Sequence, residues 1–511
     1  MFDPVFLPAA IAAHAPAILV AVPMLLATVA AAQPSGKAGW AMALIGVFVA
    51  LLCAIELVAA TRAEYAVISY AMGGWQPPFG IEFRIDGLNA AILLLLSVIG
   101  LLTLIFAAPS VEDEVGKSKR SLFYAAFLLC FSGLSGVAIT GDAFNLFVFL
   151  EISSIGTYAI IAMGWRADRR ALTASFDYLV MGTIGATFFV IGVGFLYMAT
   201  GTLNMADMAV RIGELSGNRV VEVGFAFILV GIGLKAALFP LHLWLPNAYA
   251  FAPSFVTTFL AATATKVAFY VIIRFSYDVF TIDSGFVANA MAFVITPLAI
   301  AGMLVASMQA LFQADTRRLL AYSSVAQVGY MLLGLGIATG AGVTAGVLHL
   351  LNHALMKGAL FMALGAFALS YGVRRIDDLK GLGQAMPATS AAFTIGALSL
   401  IGVPFTVGFI SKFYLVQAAL GVGWWWAVAA ILASSVLAVF YCYRMLVALW
   451  VSPPLSDENR SKGHVRKVPM TILVPLWILA LANLWFGVDA GPMVDLARTA
   501  AEAAINGGLA R

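Results

Sequence analysis

Charged residues are scarce in this chain. Asp, Glu, Lys and Arg make up only 10% of its 511 residues, and the mean hydropathy is +1.00. A soluble protein carries roughly a quarter charged residues, so this composition excludes a large water-exposed domain. It predicts a polytopic membrane protein that crosses the bilayer many times.

Cysteines and nucleotide-binding motifs are also scarce. The three cysteines, Cys53, Cys130 and Cys442, lie inside apolar runs and show neither metal-site nor disulfide spacing. The sequence contains no GxGxxG, no phosphate-binding loop and no CxxC, and its net charge of +3 gives no sign of nucleic-acid binding. We therefore expect no cofactor, no metal, no nucleic acid partner and no covalent chemistry.

A spanning length of about 20 residues divides the chain into fourteen apolar segments. The N-terminus lacks a basic region and a cleavage site, so its first apolar run is predicted to be a retained span. Between the second and third spans, YAVISYAMGGWQPPFGIEFRID predicts a short external hairpin. The predicted spans are 6–32, 39–60, 88–107, 121–140, 143–164, 172–199, 221–246, 254–275, 287–311, 317–338, 342–370, 388–421, 425–450 and 469–487.

The distribution of basic residues over the loops predicts the orientation. With the N-terminus outside, 17 Lys and Arg residues fall on the inner side and 7 on the outer side, as the positive-inside rule requires. We therefore expect both termini on the outer side of a bacterial inner (plasma) membrane. The predicted units are three N-terminal spans with the hairpin (1–120), two five-helix repeats (121–275 and 287–450), and a basic inner loop, last span and short tail (451–511).

Four lysines and one glutamate remain in the middle of predicted spans. A charge at the centre of a spanning helix costs about 2.5–3.5 kcal/mol on the insertion scale. Five such residues are explained either by structural ion pairs that lock helices or by an ion or proton pathway, and we favour the pathway. The five are Lys235, Lys266, Lys357, Lys412 and Glu151.

The stretch GIGLKAALFPLHLWLP places Lys235 five residues before Pro240, with His242 two residues further on. A neutral lysine is much cheaper to bury than a charged one, and a nearby carboxylate favours the charged form. A proton moving near Glu151 can therefore switch Lys235 between two states, which an arginine cannot do. Pro240 either kinks the helix for packing or frees backbone groups that hold water or ions.

The same pattern recurs in the twelfth span. In ALSLIGVPFTVGFISKFYLVQAAL, Gly402 and Pro404 interrupt the helix and Lys412 follows. The segment SSVAQVGY at 323–330 also echoes SSIGTY at 153–158, although no carboxylate lies beside Ser323. Interrupted spans five apart predict two structural repeats, and the odd number of spans in each predicts that they are inverted.

The eleventh span carries three polar side chains on one face. His349, His353 and Lys357 stand at i, i+4 and i+8 in GVLHLLNHALMKGALF. The histidine pair has metal-ligand spacing, but no carboxylate or thiolate is near and the lysine would repel a cation, so we favour proton carriers. Polar residues of the twelfth span, among them Ser399 and Ser411, could hydrate the route or serve only helix packing.

Several of these segments resemble one known family of membrane subunits. The segments are GLKAALFPLHLWLPNAYAFAPS, TKVAFYVIIR, AYSSVAQVGYMLLGLG, LLNHALMKGALF and GFISKFYL. They are similar to the proton-translocating antiporter-like subunits of respiratory complex I, membrane-bound hydrogenases and Mrp-type cation/proton antiporters. The resemblance covers spans 4 to 13 and is greatest to the D-type subunit of Mrp antiporters.

The resemblance implies an all-α fold of fourteen helices, with two inverted five-helix repeats and broken helices 7 and 12. It also implies a lysine–glutamate proton relay at the membrane midplane. Three features separate this chain from complex I members: WLPNAY replaces WLPDAH, Lys412 stands where the middle subunit has glutamate, and no long lateral helix follows span 14. The implied relay residues are Glu151, Lys235, Lys266, His349, His353, Lys357 and Lys412.

Two functions remain open at this point. The chain is either the proton-translocating subunit of a multi-subunit Na⁺/proton antiporter, or the proton-pumping subunit of a complex I-like oxidoreductase or hydrogenase. In both cases the resemblance implies other membrane subunits as partners. Protons would leave from Lys412 either to the outer side or sideways into a partner subunit.

Overall fold

The computed structural model describes residues 5–64, 67–215, 217–280, 284–453 and 466–505. Both chain ends and much of the predicted basic loop, including Arg460 and Lys462, lie outside the described residues. Within these ranges the chain is helical apart from one two-stranded hairpin. Among the described residues, twelve helices are long and apolar enough to cross a membrane.

The helices of the first half are interrupted once by the hairpin, which consists of strands β1 (Ile68–Ala71) and β2 (Glu82–Ile85). A π-helical turn, Arg274–Val279, continues the last helix of this half. The helices are α1 (Ala9–Ala12), α2 (Ala15–Ala32), α3 (Gly36–Glu64), α4 (Gly87–Glu114), α5 (Arg120–Ile139), α6 (Ala143–Ala162), α7 (Arg170–Thr200), α8 (Met205–Glu214), α9 (Arg219–Ala236), α10 (Trp244–Phe251) and α11 (Ser254–Ile273).

The second half of the chain also consists of helices and also contains a π-helical segment. Its first helix, α12, runs through a π-helical segment, Met291–Ile295, directly into the next one. The helices are α12 (Gly285–Ala290), α13 (Thr296–Leu311), α14 (Thr316–Gly336), α15 (Gly340–Tyr371), α16 (Leu382–Ala385), α17 (Pro387–Ile401), α18 (Val407–Gly421), α19 (Trp425–Trp450), α20 (Met470–Val488) and α21 (Gly491–Ile505).

The hairpin marks one end of the helix bundle, which we call the hairpin end. Its strands pair antiparallel with Ser69 opposite Arg84, in the segment where the sequence predicts a hairpin. Phe83 of β2 pairs with Thr140 at the end of α5, and Asp142 at the start of α6 pairs with Asn204. The successive long helices run alternately from one end of the bundle to the other.

Two of the predicted spans are each divided into two helices. The segment between α9 and α10 (237–243) and the segment between α17 and α18 (402–406) are non-helical. The helix pair α9/α10 runs away from the hairpin end, whereas the pair α17/α18 runs toward it. The two interruptions therefore lie in helices of opposite direction.

The centre of the bundle consists of α11, α14 and α15, whose side chains are almost all buried. Large apolar side chains on the peripheral helices are exposed instead, as Phe176 on α7, Trp425 on α19 and Leu25 on α2 show. An exposed apolar surface faces lipid in a membrane protein. Charged residues on α11 or α15 are thus shielded by protein on all sides.

Ion pairs join the two halves at the end opposite the hairpin. Arg374 Nη1 lies 2.8 Å from Asp168 Oδ2, and Arg317 Nη2 lies 3.7 Å from Glu114 Oε1. The hydrogen bond from Arg170 outweighs partial burial and, with the charges of Arg170 and Arg374, lowers the pKa of Asp168. The carboxylate is therefore ionised at neutral pH and holds both arginines.

Two short helices were not predicted from the sequence. Residues 205–214 form α8, and most of the predicted C-terminal tail forms α21. The second helix packs on the hairpin end of the bundle, because a Cβ added at Gly87 would lie 3.0 Å from Thr499. Both helices are amphipathic and shorter than a span, so a search for spanning segments does not find them.

Candidate functional site

The first interrupted helix ends one residue after Lys235. Ala237 adopts a left-handed conformation (φ 57°), and the amide of Leu238 donates to Gly233 O at 2.9 Å. Pro240 lies in the following turn, beside the buried ring of His242, whose two nitrogens have no hydrogen-bond partner. The interruption thus places a titratable ring and a lysine at the same level of the bundle.

Lys235 is held by a serine and not by a carboxylate. Its side chain is buried, and Nζ donates a hydrogen bond to Ser154 Oγ on α6. Glu151, about one turn earlier on α6, acts electrostatically on Lys235 but is not among the ion pairs within 4.0 Å in the described residues. Glu151 Oε1 is buried and has no hydrogen-bond partner, so it is available to accept a proton.

Lys266 lies in the fully buried centre of α11. Its Nζ donates to Ala261 O and lies 3.3 Å from Thr265 Oγ1, and the residue has no exposed surface. Its charge acts on Lys357 and on both histidines of α15. Lys266 therefore connects α11 electrostatically to α15.

The polar face of α15 carries His349, His353 and Lys357, all fully buried. His349 Nδ1 lies 2.9 Å from Ser411 Oγ, and its Nε2 lies 2.9 Å from Gln327 Oε1. The parallel ring of His353 follows with a centroid distance of 6.3 Å, and neither of its nitrogens has a partner. These contacts join α14, α15 and α18 at one level.

Lys357 ends this face of α15. Its Nζ donates to Ser323 Oγ and to Leu320 O, the second contact at 2.8 Å. Ser323 in α14 thus accepts a hydrogen bond from Lys357, as Ser154 in α6 accepts one from Lys235. Among the described residues no group of three or more His, Cys, Asp or Glu side chains is placed to hold a metal. Of the two histidines, His349 contacts Ser411 and Gln327, whereas the nitrogens of His353 have no partner.

Lys412 lies at the second interruption. Its Nζ donates to the carbonyl oxygens of Leu400 (3.1 Å) and Ile401 (2.8 Å), which end α17. These carbonyls carry the partial negative charge of a helix C-terminus. Gly402 (φ 93°) adopts a conformation that favours glycine, and Pro404 lies in the turn that follows. The break therefore supplies the acceptors that a buried lysine needs.

The two halves of this helix approach each other at Ser399 and Gly408. The amide of Gly408 donates to Ser399 Oγ at 3.3 Å, and a Cβ at Gly408 would lie 1.8 Å from Ser399 O. We expect Gly408→Ala to force the halves apart and to destabilise the protein by about 1–3 kcal/mol. Thermal unfolding of the purified protein measures this, with Gly421→Ala as control because a Cβ there meets nothing within 4 Å. Equal midpoints for the two variants would contradict the close approach.

We call the buried basic side chains between the two interruptions the polar row. Within the described part of the chain, none of its lysines forms an ion pair; each donates to hydroxyl or carbonyl oxygens. A hydrogen bond joins His349 to Ser411, the residue before Lys412. Among the described residues, no hydrogen bond joins Lys235 to Lys266, or Lys266 to His353. The polar row consists of Lys235, Lys266, His353, Lys357, His349 and Lys412.

Three polar residues that hold the polar row were missed by sequence reasoning. Ser154, Ser323 and Gln327 each bind a lysine or histidine of the row. In the sequence, the segments SSIGTY and SSVAQVGY indicate only a repeat. The serine pair that opens each segment is the signal that could have indicated the lysine partners, with Lys235 binding the second serine of the first pair and Lys357 the first serine of the second pair.

Comparisons with known proteins give one consistent result. Residues 140–438 match the NADH:quinone oxidoreductase/Mrp antiporter transmembrane family. The chain is 42% identical over 427 residues to the N-type subunit of the NADH-quinone oxidoreductase of Desulforudis audaxviator, covering 82% of this chain and 84% of that protein. It is 33% identical over 422 residues to the D-type subunit of the Na⁺/H⁺ antiporter of Alkalihalophilus pseudofirmus, covering 83% of each.

A solved structure extends the likeness to almost the whole chain. A chain of the Mrp complex from a Dietzia species superposes with a TM-score of 0.88 at 27% identity, covering 98% of both chains. The higher identity to the oxidoreductase subunit and the match to an Mrp structure together favour neither type of assembly.

Proposed function

Since this chain belongs to the NADH:quinone oxidoreductase/Mrp antiporter transmembrane family, we propose that it is the proton-translocating subunit of a multi-subunit antiporter. The antiporter exchanges protons for a monovalent cation, which we take to be Na⁺ from the Na⁺/H⁺ antiporter relative. Its partners are other membrane subunits, and it is embedded in the lipid bilayer. This chain carries the protons along the polar row.

The observation that carries this proposal is the bonding of the buried lysines. A lysine that serves only to lock helices is expected to face a carboxylate, as Arg274 does with Asp86 and Asp278. The lysines of the polar row bind neutral oxygens instead. Because such oxygens do not fix the charge, each lysine can lose and regain a proton without breaking an ion pair.

The mechanism follows from the charges near each lysine. A proton that reaches Glu151 removes the negative charge that favours protonated Lys235. Lys235 then releases a proton toward Lys266, and the charge gained there disfavours a second charge on His353 or Lys357. A proton already held on α15 is thereby driven toward Lys412, and its departure allows the proton on Lys266 to move onto α15. Arginine could not take part, because it keeps its proton.

We further propose fourteen spans, made of the twelve long helices and the two interrupted pairs, α9/α10 and α17/α18. The opposite directions of the two pairs support inverted repeats at 121–275 and 287–450. The bias of basic residues supports a bacterial plasma-membrane protein with the hairpin end and both termini outside. Reporter fusions should place both termini outside; a cytoplasmic terminus would overturn the span count.

A second candidate function is supported by the 42% identity to a subunit of an NADH-quinone oxidoreductase. In that case the same polar row would pump protons in a redox-driven assembly whose electron carriers lie on other chains. Both functions use the same residues of this chain. They differ in what drives the proton.

Vesicles that contain the whole assembly distinguish the two functions. If the antiporter proposal is right, a Na⁺ gradient alone changes the internal pH, with no electron donor present. If Na⁺ has no effect and proton movement requires an electron donor and a quinone, the antiporter proposal is wrong and the redox-driven function replaces it.

A further inference from the structure

A second buried charged cluster lies at the hairpin end, outside the polar row. Arg274 Nη1 contacts Asp86 Oδ2 at 2.6 Å and Asp278 Oδ2 at 2.5 Å. Arg274 Nη2 contacts Asp86 Oδ1 at 3.0 Å, so the guanidinium binds Asp86 through two nitrogens. All three side chains are at most 3% exposed. The cluster joins the start of α4 to the end of α11.

The charges of this cluster do not balance. Two carboxylates face one guanidinium, which leaves one negative charge in excess. Arg84 also acts on Asp278, but it lies 3.7 Å from Glu82, so that pair adds no net charge. The neighbouring helices α8 and α21 supply no excess positive charge: Asp207 pairs with Arg211 and Asp495 with Arg498, and their remaining charged residues, Glu214 and Glu502, are acidic.

The excess charge coincides with an unpartnered atom. Asp278 has no exposed surface, and its Oδ1 has no hydrogen-bond partner. An isolated ionised oxygen in such a place is costly unless it is neutralised. A metal cation is disfavoured, because the guanidinium of Arg274 already occupies the other oxygen of the same carboxylate. A proton on Oδ1 removes the charge and needs no further ligands.

We propose that Asp278 Oδ1 is a further proton-binding site, at the hairpin end of α11 and separate from the polar row. Lys266 lies twelve residues earlier on the same helix, about 18 Å away along its axis. Asp278 itself lies in the π-helical turn from Arg274 to Val279, a conformation often found at functional sites. Helix α21 packs on this turn and on the start of α4, and it therefore covers the site.

Only the role of this site in transport rests on the proposed function. The existence of the site can be tested without measuring transport. The pH-difference infrared spectrum of the purified assembly should contain the C=O stretch of a buried protonated carboxyl group. Asp278→Asn should remove that band. Asp86→Asn should remove it too, because Arg274 then binds Asp278 alone and stabilises its ionised form. Asparagine remains a good N-cap for α4.

The control and the contrary outcomes are equally specific. Asp495→Asn removes an exposed carboxylate on α21 and should leave the band unchanged. A spectrum without the band in the wild-type protein, or with the band intact in Asp278→Asn, would overturn the proposal. Asparagine has the shape and charge of the protonated acid, so Asp278→Asn should assemble normally. Failure of this variant to assemble while Asp86→Asn assembles would show that the ionised form is required and would overturn it as well.

Discussion

Lys235→Ala and Glu151→Ala should each reduce cation-driven proton exchange to the background rate of vesicles without the assembly. Lys235 is the buried base of the first interrupted helix, and Glu151 is the carboxylate whose charge acts on it. Removing either side chain leaves the other without the partner that changes its protonation. The internal pH of vesicles that contain the whole assembly measures the rate after a Na⁺ jump.

Matched controls separate this effect from a general loss of charge. Lys380→Ala removes a partly exposed lysine that pairs with Asp377 at 2.8 Å, and Glu222→Ala removes a surface carboxylate that pairs with Arg219. Both controls should exchange at the wild-type rate. All variants should insert and assemble in equal amounts. Wild-type exchange by Lys235→Ala would exclude this lysine from the pathway.

Lys412→Ala should also stop net exchange, for a different reason. Lys412 is the last basic residue of the polar row, and it occupies the carbonyls of Leu400 and Ile401 at the second interruption. Without it, protons that reach His349 and Ser411 have no further carrier. Lys235 and Glu151 remain intact in this variant.

Lys412→Glu provides the sharper comparison at this position. A protonated glutamate can donate one hydrogen bond to a carbonyl of α17 and can also release its proton, so we expect partial activity. An alanine can do neither. The same vesicle assay measures both variants. Full exchange by Lys412→Ala would show that protons leave before α18, and α18 would then have only a structural role.

The positions of the breaks and of the buried charges could be predicted from local sequence. Pro240, Gly402 and Pro404 lie in the non-helical segments of the structure, because proline and glycine act on their own backbone. The lysines stand out because their charge conflicts with the apolar runs around them. Each of these signals is contained within a few residues.

The partners of these charges could not be predicted in the same way. Lys235 and Ser154 are 81 residues apart, and Arg274 and Asp86 are 188 apart. Such contacts depend on how helices pack, and hydropathy carries no information about packing. Arg274 is one of the seven basic residues that charge counting places on the outer side, whereas the structure buries it between two aspartates. Helix α21 was missed for a different reason, because it is amphipathic and shorter than a span.

The central claim is that the lysines of the polar row carry protons and do not merely supply fixed charge. Lys235→Arg tests it most directly, because arginine keeps the positive charge and can still donate to Ser154 but does not release its proton. The measurement is the Na⁺-driven pH change in vesicles that contain the assembled Lys235→Arg complex. We predict exchange at the background rate. Exchange at the wild-type rate would show that Lys235 is only a fixed charge and would contradict the account.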